Sequence, residues 1–594
     1  TADMISKLIP ANVKLNDLLS MNTQQIKDKF RADDFDNVVK LKSFSDKNDM
    51  TATVINAAAK IEGCLRNTGI HACGFIITPT PISDYIPVTK AKDSDLYVTQ
   101  YDNNVVEDAG MLKMDFLGLK NLSVIKDTVK IIKALHNIDI EIDDIDLEDQ
   151  KTFDLFKSGH TKAIFQMEKP FVQKTLRKMM PDKFEDIIAL NALNRPGPMA
   201  YIPDYIKRKH GHDKVTYPLP EMKDLLSDTY GITVYQEQVM LLSQKLANFS
   251  GGDADRLRKG MGKKDKNVID ELKPKFIEGC RKNKHDEKIV LKIWEDWERF
   301  ASYAFNKSHS TCYSFIGFQT AYLKSHYPAE YMASVLTHWK NNIDKISEYM
   351  EECKRMGVMV NSCDINESYS KFSVNDKSEI RFGLEAVKGV GGAAVNNIIK
   401  ERKLNGRFKS VFDFIERVNL QSVNKKVLEG LVHAGGFDSF GFPRSAYFEE
   451  ENNKTYIERI LDYGHKFKEH NLRKLPELPF GKEELALTIK KPVINEIDSW
   501  SKMETLLKEK EVCGIFVTAN PLDDYNLEIK RYCNINLSNM DDLSEYKDKD
   551  VVFAGIITDC SEKTARNGNL FGDFVLEDLY SSKLFRVIKW PPSA

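Results

Sequence analysis

Between residues 150 and 345 the chain reads as helix after helix, interrupted at "NRPGP" (194–198), "YPLP" (217–220) and "FNKSHS" (305–310). Proline lacks the donor a helical ladder needs and clashes with the preceding turn, so the two proline breaks end helices rather than bend them. No internal repeat divides the stretch, which argues for one large α-helical domain and against a solenoid. The flanking texture is different. Residues 1–65 are amphipathic and helical ("LNDLLSMNTQQIKDKF"), and from "RNTGIHACGFIITPTPISDYIPV" (66–88) the period switches to that of strands. Residues 66–120 therefore read as part of a sheet, and "NLSVIKDTVKIIKAL" after Gly118 as a helix. The fold class that follows is multidomain α+β.

At 594 residues the chain is long enough for roughly three to five domains by the usual size range. The formal charge is only −2, so affinity for a polyanion must come from local clustering. Nine cysteines (64, 73, 280, 312, 353, 363, 513, 533, 560) include no C-x-x-C pair, which disfavours a zinc site or a disulfide framework and fits a reducing cytosol. Apolar runs such as "VVFAGII" (551–557) fall far short of the ~18 residues a membrane span requires. The chain opens at "TADMISKLIP" without Met or a signal peptide, and we expect a piece of a longer protein.

One carboxylate stands out. In "LKMDFLGLK" (112–120), Leu112, Met114 and Phe116 alternate as one face of a short buried strand, and Asp115 interrupts the apolar run. A lone buried Asp pairs with a cation or shifts its pKa and stays neutral. Lys113 is close by but is expected to be a poor automatic partner. The acidic run "IDIEIDDIDLEDQ" (138–150) offers either a metal cluster or, more plainly, an exposed linker whose last Asp residues cap the next helix.

Cations cluster too. Eleven Lys or Arg against four acids lie between Arg256 and Lys284. Within "GGDADRLRKGMGKK" (251–264), Arg256, Lys259 and Lys263 share a helical face, with Arg258 one step round. Cations with little acidic compensation suit a phosphate chain or nucleic-acid backbone, although a solvated face has the same composition. "GMGKK" has neither the spacing nor the Ser/Thr of a Walker loop. Near 381–440, "VKGVGGAAVNNIIKERK" and "VNKKVLEGLVHAGGFDSFG" each pair a glycine-rich hairpin with a helix. In a helix-hairpin-helix reading, Lys388, Gly389 and Gly391 hold a DNA phosphate through exposed amides without reading sequence; a glycine-rich connection with no ligand is the alternative. The last hundred residues return to strands. "VVFAGIITDCSEKTARNGNLFGDFVLEDLY" (551–580) reads as strand, Asn-Gly turn and strand, as in an incomplete oligonucleotide-binding barrel.

Several stretches together resemble one family. "RNTGIHACGFIITPTPISDY", "LKMDFLGLKNL", "AIFQMEKPFVQKTLRKMMPDKFEDIIALNALNRPGP", "TYGITVYQEQVM", "GGDADRLRKGMGKK", "FNKSHSTCYSFIGFQTAYLKSHYPAEYMA" and "EKEVCGIFVTANPLDDY" run in the order found in the bacterial replicative DNA polymerase III alpha subunits, the family C polymerases. The resemblance implies a nucleotidyltransferase-type palm in which three aspartates bind two Mg²⁺ ions, and Asp115 matches the third. The first two belong to a "PD-x-D-x-DF" motif that this sequence does not contain, so the chain alone is expected to be inactive. Lys113 is implied near the triphosphate or primer end. Arg258, Lys259 and Lys263 are implied at the incoming nucleotide, with Lys259 standing where the family usually has Arg; Asn306, Lys307 and His309 match a fingers motif beside it. Arg66 and His71 are implied near primer or template phosphates.

The resemblance also implies a domain map: 1–65 the end of the thumb, 66–120 the C-terminal part of the palm and 121–375 helical fingers. Residues 376–490 become a tandem helix-hairpin-helix and clamp-binding region, and 491–594 a linker with an incomplete oligonucleotide-binding (OB) fold. "PELPFG" (476–481) stands where the family carries a sliding-clamp peptide, without its Gln, and a proline-rich linker is the plainer reading. Primed DNA template, dNTP, the sliding clamp and other replisome subunits are the implied partners, in the bacterial cytosol at the nucleoid. The alternative is a non-catalytic DNA-binding paralogue or truncated product.

Overall fold

The amphipathic pattern ahead of residue 65 becomes four helices: α1 (Leu15–Ser20), α2 (Thr23–Lys29), α3 (Ala32–Ser45) and α4 (Met50–Ile61). Asn22 and Gln25 start α2 as a reciprocal capping box. Leu15, Leu18, Ile26, Val38, Leu41 and Ile55 meet in one small core. This computed structural model describes residues 5–589 except 7, 11–12, 31, 48, 65–68, 72, 92–94, 104, 196, 264, 301–304, 473–489, 495–496, 536–548, 565–569 and 578–584. It divides into two units, Thr1–Gly118 and Leu119–Ala594, each treated by itself.

The first unit continues with β1 (Gly74–Ile77), β2 (Val88–Lys90), β3 (Tyr97–Thr99) and β4 (Leu112–Asp115). They form two separate two-stranded ladders, β1 with β4 and β2 with β3, both antiparallel. Gly74 faces Asp115 and Phe75 faces Met114, so the apolar side chains of β1 and β4 share one face. The expected burial of that strand is corrected: Leu112, Met114 and Phe116 are exposed, at 58%, 44% and 58%. Phe75 is exposed as well, with its ring edge against Phe116 at 5.6 Å. The alternation is real, but a two-stranded ladder has only itself to cover an apolar face.

In the second unit, α5 (Lys120–His136) ends at Asn137 in the left-handed conformation. Asp149 accepts a hydrogen bond from the Thr152 amide and caps α6 (Gln150–Ser158), so the acidic run ends as a capped linker. α7 (Pro170–Met179), α8 (Phe184–Leu193) and α9 (Ile202–Lys209) follow. Next come α10 (Gln236–Ala247), α11 (Gly251–Lys263), α12 (Lys266–Lys282) and α13 (Glu287–Phe300). The helical stretch closes with α14 (Lys307–His326), α15 (Pro328–Trp339) and α16 (Ile343–Arg355).

These helices serve more than one core. Phe153, Phe156, Leu176, Ile187 and Tyr205 gather around Phe318 of α14. Leu242, Leu257, Phe276, Trp294 and Trp297 form a second cluster from α10 to α13. α15 and α16 bury Tyr331 and Tyr349 in a third, shared with α5 and with the elements that follow. Those include β5 (Val360–Asn361), β6 (Ser373–Val374) and β7 (Ile380–Arg381), with β5 parallel and β6 antiparallel to β7. α17 (Gly392–Asn405), α18 (Val411–Arg417), α19 (Lys425–His433) and α20 (Tyr456–Leu472) complete that core. α21 (Lys502–Cys513) and α22 (Asn526–Tyr532) lead to β8 (Ile556–Thr564), β9 (Leu570–Glu577) and β10 (Phe585–Lys589). The last three pair as an antiparallel meander; the Asn-Gly turn expected between the first two lies outside the described residues. Among the described residues no helix is long and apolar enough to cross a membrane.

Candidate nucleotide and nucleic-acid site

Asp115 ends β4 on the polar face of its ladder. Lys113 Nζ lies 3.0 Å from Asp115 Oδ1, and His71 Nδ1 lies 3.5 Å from the same oxygen. The ion pair corrects the expectation that Lys113 is a poor partner: two residues apart on a strand is the same face. Lys113 is 12% exposed, but the Asp115 carboxylate is 43% exposed and open to further ligands. Gly74 opposite is required by this packing, since a Cβ there would collide with His71 Nδ1 and come within 3.1 Å of Asp115 Oδ1. Among the described residues no three of His, Cys, Asp and Glu are placed to hold a metal ion. A single carboxylate held by a lysine does not fit Mg²⁺, which asks for several oxygen ligands, so the residues present do not make that site by themselves. Arg66 and the 476–481 segment lie outside the described residues.

In the second unit, two cations of the basic helix turn out to be locally paired. Asp255 accepts from Arg258 at 2.9 Å and from Lys259 at 2.7 Å, and both hydrogen bonds hold its carboxyl below the usual range, Lys259 foremost. Arg256 pairs with Glu271 at 2.9 Å, and Lys275 with Asp253 at 2.7 Å. This corrects the expectation of little acidic compensation. Counting charges from Arg256 onward leaves out Asp255, which reaches the next turn by the i+3 and i+4 rule, and Asp253, which reaches across to Lys275 of α12. Pairs this exposed are worth about 0–1 kcal/mol, so a phosphate can displace the carboxylate. Lys263 ends α11, and its side chain lies outside the described residues.

The start of α14 is built around Asn306. Its Oδ1 accepts from the His309 amide at 2.8 Å, and its Nδ2 donates to Glu237 Oε1 at 2.7 Å. The Lys307 amide donates to Glu237 Oε2 at 2.9 Å, and Lys307 Nζ stands 5.4 Å from the Tyr235 ring centre. His309 stacks on Tyr313 at 4.3 Å, with Phe305 edge-on at 5.3 Å and Arg195 over the outer face of Phe305. The Gln236 amide donates to the Phe305 carbonyl at 2.9 Å, while the Gln236 side chain lies 3.7 Å from where a Cβ on Gly262 would stand. Residues 235–237 at the start of α10 thus meet residues 305–307 at the start of α14 and, through Gln236, Gly262 near the end of α11. The sequence reading had Arg258, Lys259, Asn306, Lys307 and His309, and lacked Tyr235, Glu237, Asp255 and Arg195, which hold them.

At the glycine hairpin, Lys388, Gly389 and Gly391 are all exposed. Gly389 has φ +87°, a conformation in which other residues are strained, and Gly391 is the cap of α17. The Lys388 amide donates to Val512 at 2.8 Å, so it is already engaged. The Lys388 carbonyl seats against Gly430 of α19, and Lys426 of the same helix lies beside Gly389. Lys426, missed from sequence, adds a second exposed cation to the hairpin.

Sequence comparison meets this geometry at each of these places. The family described as the bacterial DNA polymerase III alpha NTPase domain matches residues 1–118. The bacterial DNA polymerase III alpha subunit finger domain matches 121–284, and the helix-hairpin-helix motif 357–447. The DNA polymerase III subunit alpha of Aquifex aeolicus is 37% identical over 593 residues, covering 97% of this chain and 48% of the relative. That of Borreliella burgdorferi is 40% identical over 532 residues (88% and 45%), and that of Vibrio cholerae 34% over 569 (93% and 48%). The chain spans about half the length of the curated relatives it matches. With matching motifs in order along nearly its whole length, it belongs to the bacterial DNA polymerase III alpha subunit family.

Proposed function

We propose that this chain is an internal portion of a template-directed replicative DNA polymerase, which joins dNTPs to a primer 3′-hydroxyl by in-line phosphoryl transfer with loss of pyrophosphate. The observation that supports the reading is the meeting of the start of α10 with the start of α14 and the end of α11: Glu237 holds Asn306 and the Lys307 amide, and the Gln236 side chain approaches Gly262, one turn on from Arg258. A triphosphate needs several cations at once, and an aromatic-imidazole stack beside them suits a sugar or base. Arg258 and Lys259 hold the triphosphate by leaving Asp255, Glu237 sets the register of Asn306 and Lys307, and the Lys388–Gly391 hairpin with Lys426 grips the duplex backbone. Lys263, Arg66 and His71 are assigned to nucleotide or primer-template phosphates on the resemblance.

Asp115 is assigned to the metal site on the resemblance: together with further carboxylates it would supply one oxygen ligand to Mg²⁺, and Lys113, 3.0 Å away, would orient that carboxylate. The thumb, palm, fingers, helix-hairpin-helix and OB boundaries at 65, 120, 375 and 490 are carried forward in the same spirit. So are a clamp contact at 476–481, contacts with other replisome subunits, and a place in the bacterial cytosol at the nucleoid.

The test uses a complete polymerase containing this chain. Asp115→Asn is expected to abolish primer extension while primed-template binding stays nearly intact, and extension at the normal rate would sink the assignment. Arg258→Ala is expected to raise the apparent KM for dNTP or lower the rate; a change confined to duplex affinity reassigns Arg258 to the template backbone. The lone carboxylate at 115 favours a second reading, DNA binding without catalysis. Unchanged primed-template binding with no extension by the unmutated protein would establish it.

A further inference from the structure

A cavity of about 470 Å³ opens where the α6–α7 connection, the end of α16 and helix α22 come together. None of its lining residues takes part in the cluster at the start of α10. Lys162, Lys354, Arg355 and Lys530 line it together with Glu351 and Glu352; Lys354 Nζ donates to Asp523 at 3.0 Å, and Lys162 Nζ lies 3.9 Å from Glu351, both pairs exposed enough for a ligand anion to compete. Glu352 is already held by Lys324 at 2.5 Å and by Arg355 at 2.6 Å, which spends its charge on the wall rather than on the opening. Arg177 packs across Gly159 at the rim, its Nε donating to the Ser158 carbonyl at 3.2 Å, and a Cβ on Gly159 would lie 2.6 Å from that nitrogen. Burial, followed by the positive charge of Arg355, holds the ring of His160 below its ordinary range; Glu352 opposes the shift, and Arg177 and Lys324 add to it.

The cavity also presents an unused acceptor. Asn526 lines it, and its buried Oδ1 accepts no hydrogen bond among the described residues. Gln173 lines it too, its Nε2 donating to the Glu168 carbonyl at 3.1 Å. A buried acceptor without a donor is unfavourable, and a ligand bearing N–H groups relieves it. Cations for an anion and a carbonyl oxygen for amino or imino hydrogens are the two halves of a nucleotide's recognition. The volume lies within the ~300–1,000 Å³ of small-ligand clefts. We propose that this cavity binds a free nucleoside polyphosphate, which joins α22 to the end of α16 and to the α6–α7 connection. The inference does not depend on the polymerase reading.

The test is calorimetric titration with ATP of the chain carrying Arg258→Ala, Lys259→Ala and Lys263→Ala, which removes the α11 cations assigned to the incoming nucleotide. Saturable binding is expected, weakened about tenfold or more by adding Lys354→Ala and Lys530→Ala, both exposed, with circular dichroism showing the fold retained. Asn526→Ala is expected to weaken ATP about tenfold while leaving tripolyphosphate unchanged, and tripolyphosphate to bind more weakly than ATP throughout. No ATP binding, ATP binding indifferent to the two lysines, tripolyphosphate binding as tightly as ATP, or a single-stranded oligonucleotide outcompeting ATP at equal nucleotide concentration would each overturn it.

Discussion

The two units cover their apolar surface to different degrees. Around Phe318 in the second unit, three aromatic rings approach within 6.0 Å and the side chain has no exposure at all. The β1–β4 ladder in the first unit carries as regular an apolar pattern and leaves Phe75, Leu112, Met114 and Phe116 open. Pattern alone therefore says which face wants burial, and only the neighbouring chain decides whether it is buried. The helical unit carries its own partners, several helices deep. The ladder has only its own two strands to cover that face.

The largest expected effect tests that contrast directly. Phe318→Ala should lower the unfolding free energy of the second unit by about 3–5 kcal/mol, the usual loss for a buried Phe with its cavity, whereas Phe116→Ala should change stability by about 0.5 kcal/mol or less. Urea unfolding followed by fluorescence and circular dichroism measures both. Comparable losses would mean that the ladder face is covered in solution.

The charged pairs make the same comparison. Lys324 is fully buried, and its Nζ donates to the His160 and Lys162 carbonyls at 2.9 and 2.7 Å as well as to Glu352. Burial pushes the Lys324 ammonium down, and the Glu352 carboxylate opposes that shift; burial pushes Glu352 up, but Arg355 and Lys324 outweigh it and hold Glu352 below its ordinary range. Lys324→Ala leaves the Glu352 charge buried with half its partners and should cost about 3 kcal/mol. Lys113→Ala, which removes a pair whose carboxylate is largely solvated, should cost less than ~1 kcal/mol. Equal losses would contradict the difference in solvation between the two sites.

Acid should weaken the tightly packed unit. His433 stacks on Phe448 at 4.3 Å, its Nδ1 is buried without a partner among the described residues, and burial followed by the charge of Lys508 pushes its pKa to about 4. Glu511 opposes that shift, and Arg444 adds to it. The unfolded chain then binds a proton that the folded one refuses between pH 6.5 and about 4. Stability is full above that window and falls as pH drops through it. After allowance for partial exposure the loss is about 2 kcal/mol, and His433→Phe should remove most of it in unfolding titrations at pH 7 and 4.5. An unchanged pH slope would exclude His433 as the source.

Much of the fold and part of the site were legible in the sequence, for reasons that differ by residue. The helical stretch was readable because its apolar spacing is repeated over many turns, and Asp149 because an Asp before a helix has one common use. The β4 alternation was readable, but its burial was not, since burial belongs to whatever packs on the strand. Arg258, Asn306 and His309 were named as candidates through the motifs that contain them. Glu237 and Tyr235 were missed because their part depends on the pairing of Tyr235 with Phe305, a contact across seventy residues that no local pattern encodes. Asp255 was the avoidable miss: it stands three and four residues before Arg258 and Lys259, a spacing that predicts both ion pairs.

That miss supplies the smallest and most discriminating expectation. If Asp255 only screens its neighbours, Asp255→Asn releases two exposed cations at the start of the proposed triphosphate site without touching any core. Stability should stay essentially unchanged, as exposed pairs contribute little. Affinity for a polyanion should rise about two- to fivefold at low salt and converge with the unmutated chain as salt increases, because the added attraction is electrostatic and screened. Tripolyphosphate titrations at two salt concentrations read both quantities. Weaker binding would show instead that Asp255 orients Arg258 and Lys259, and that the cations need their acidic neighbour to point at a phosphate. In that case the local pairing of α11 is part of the site's construction.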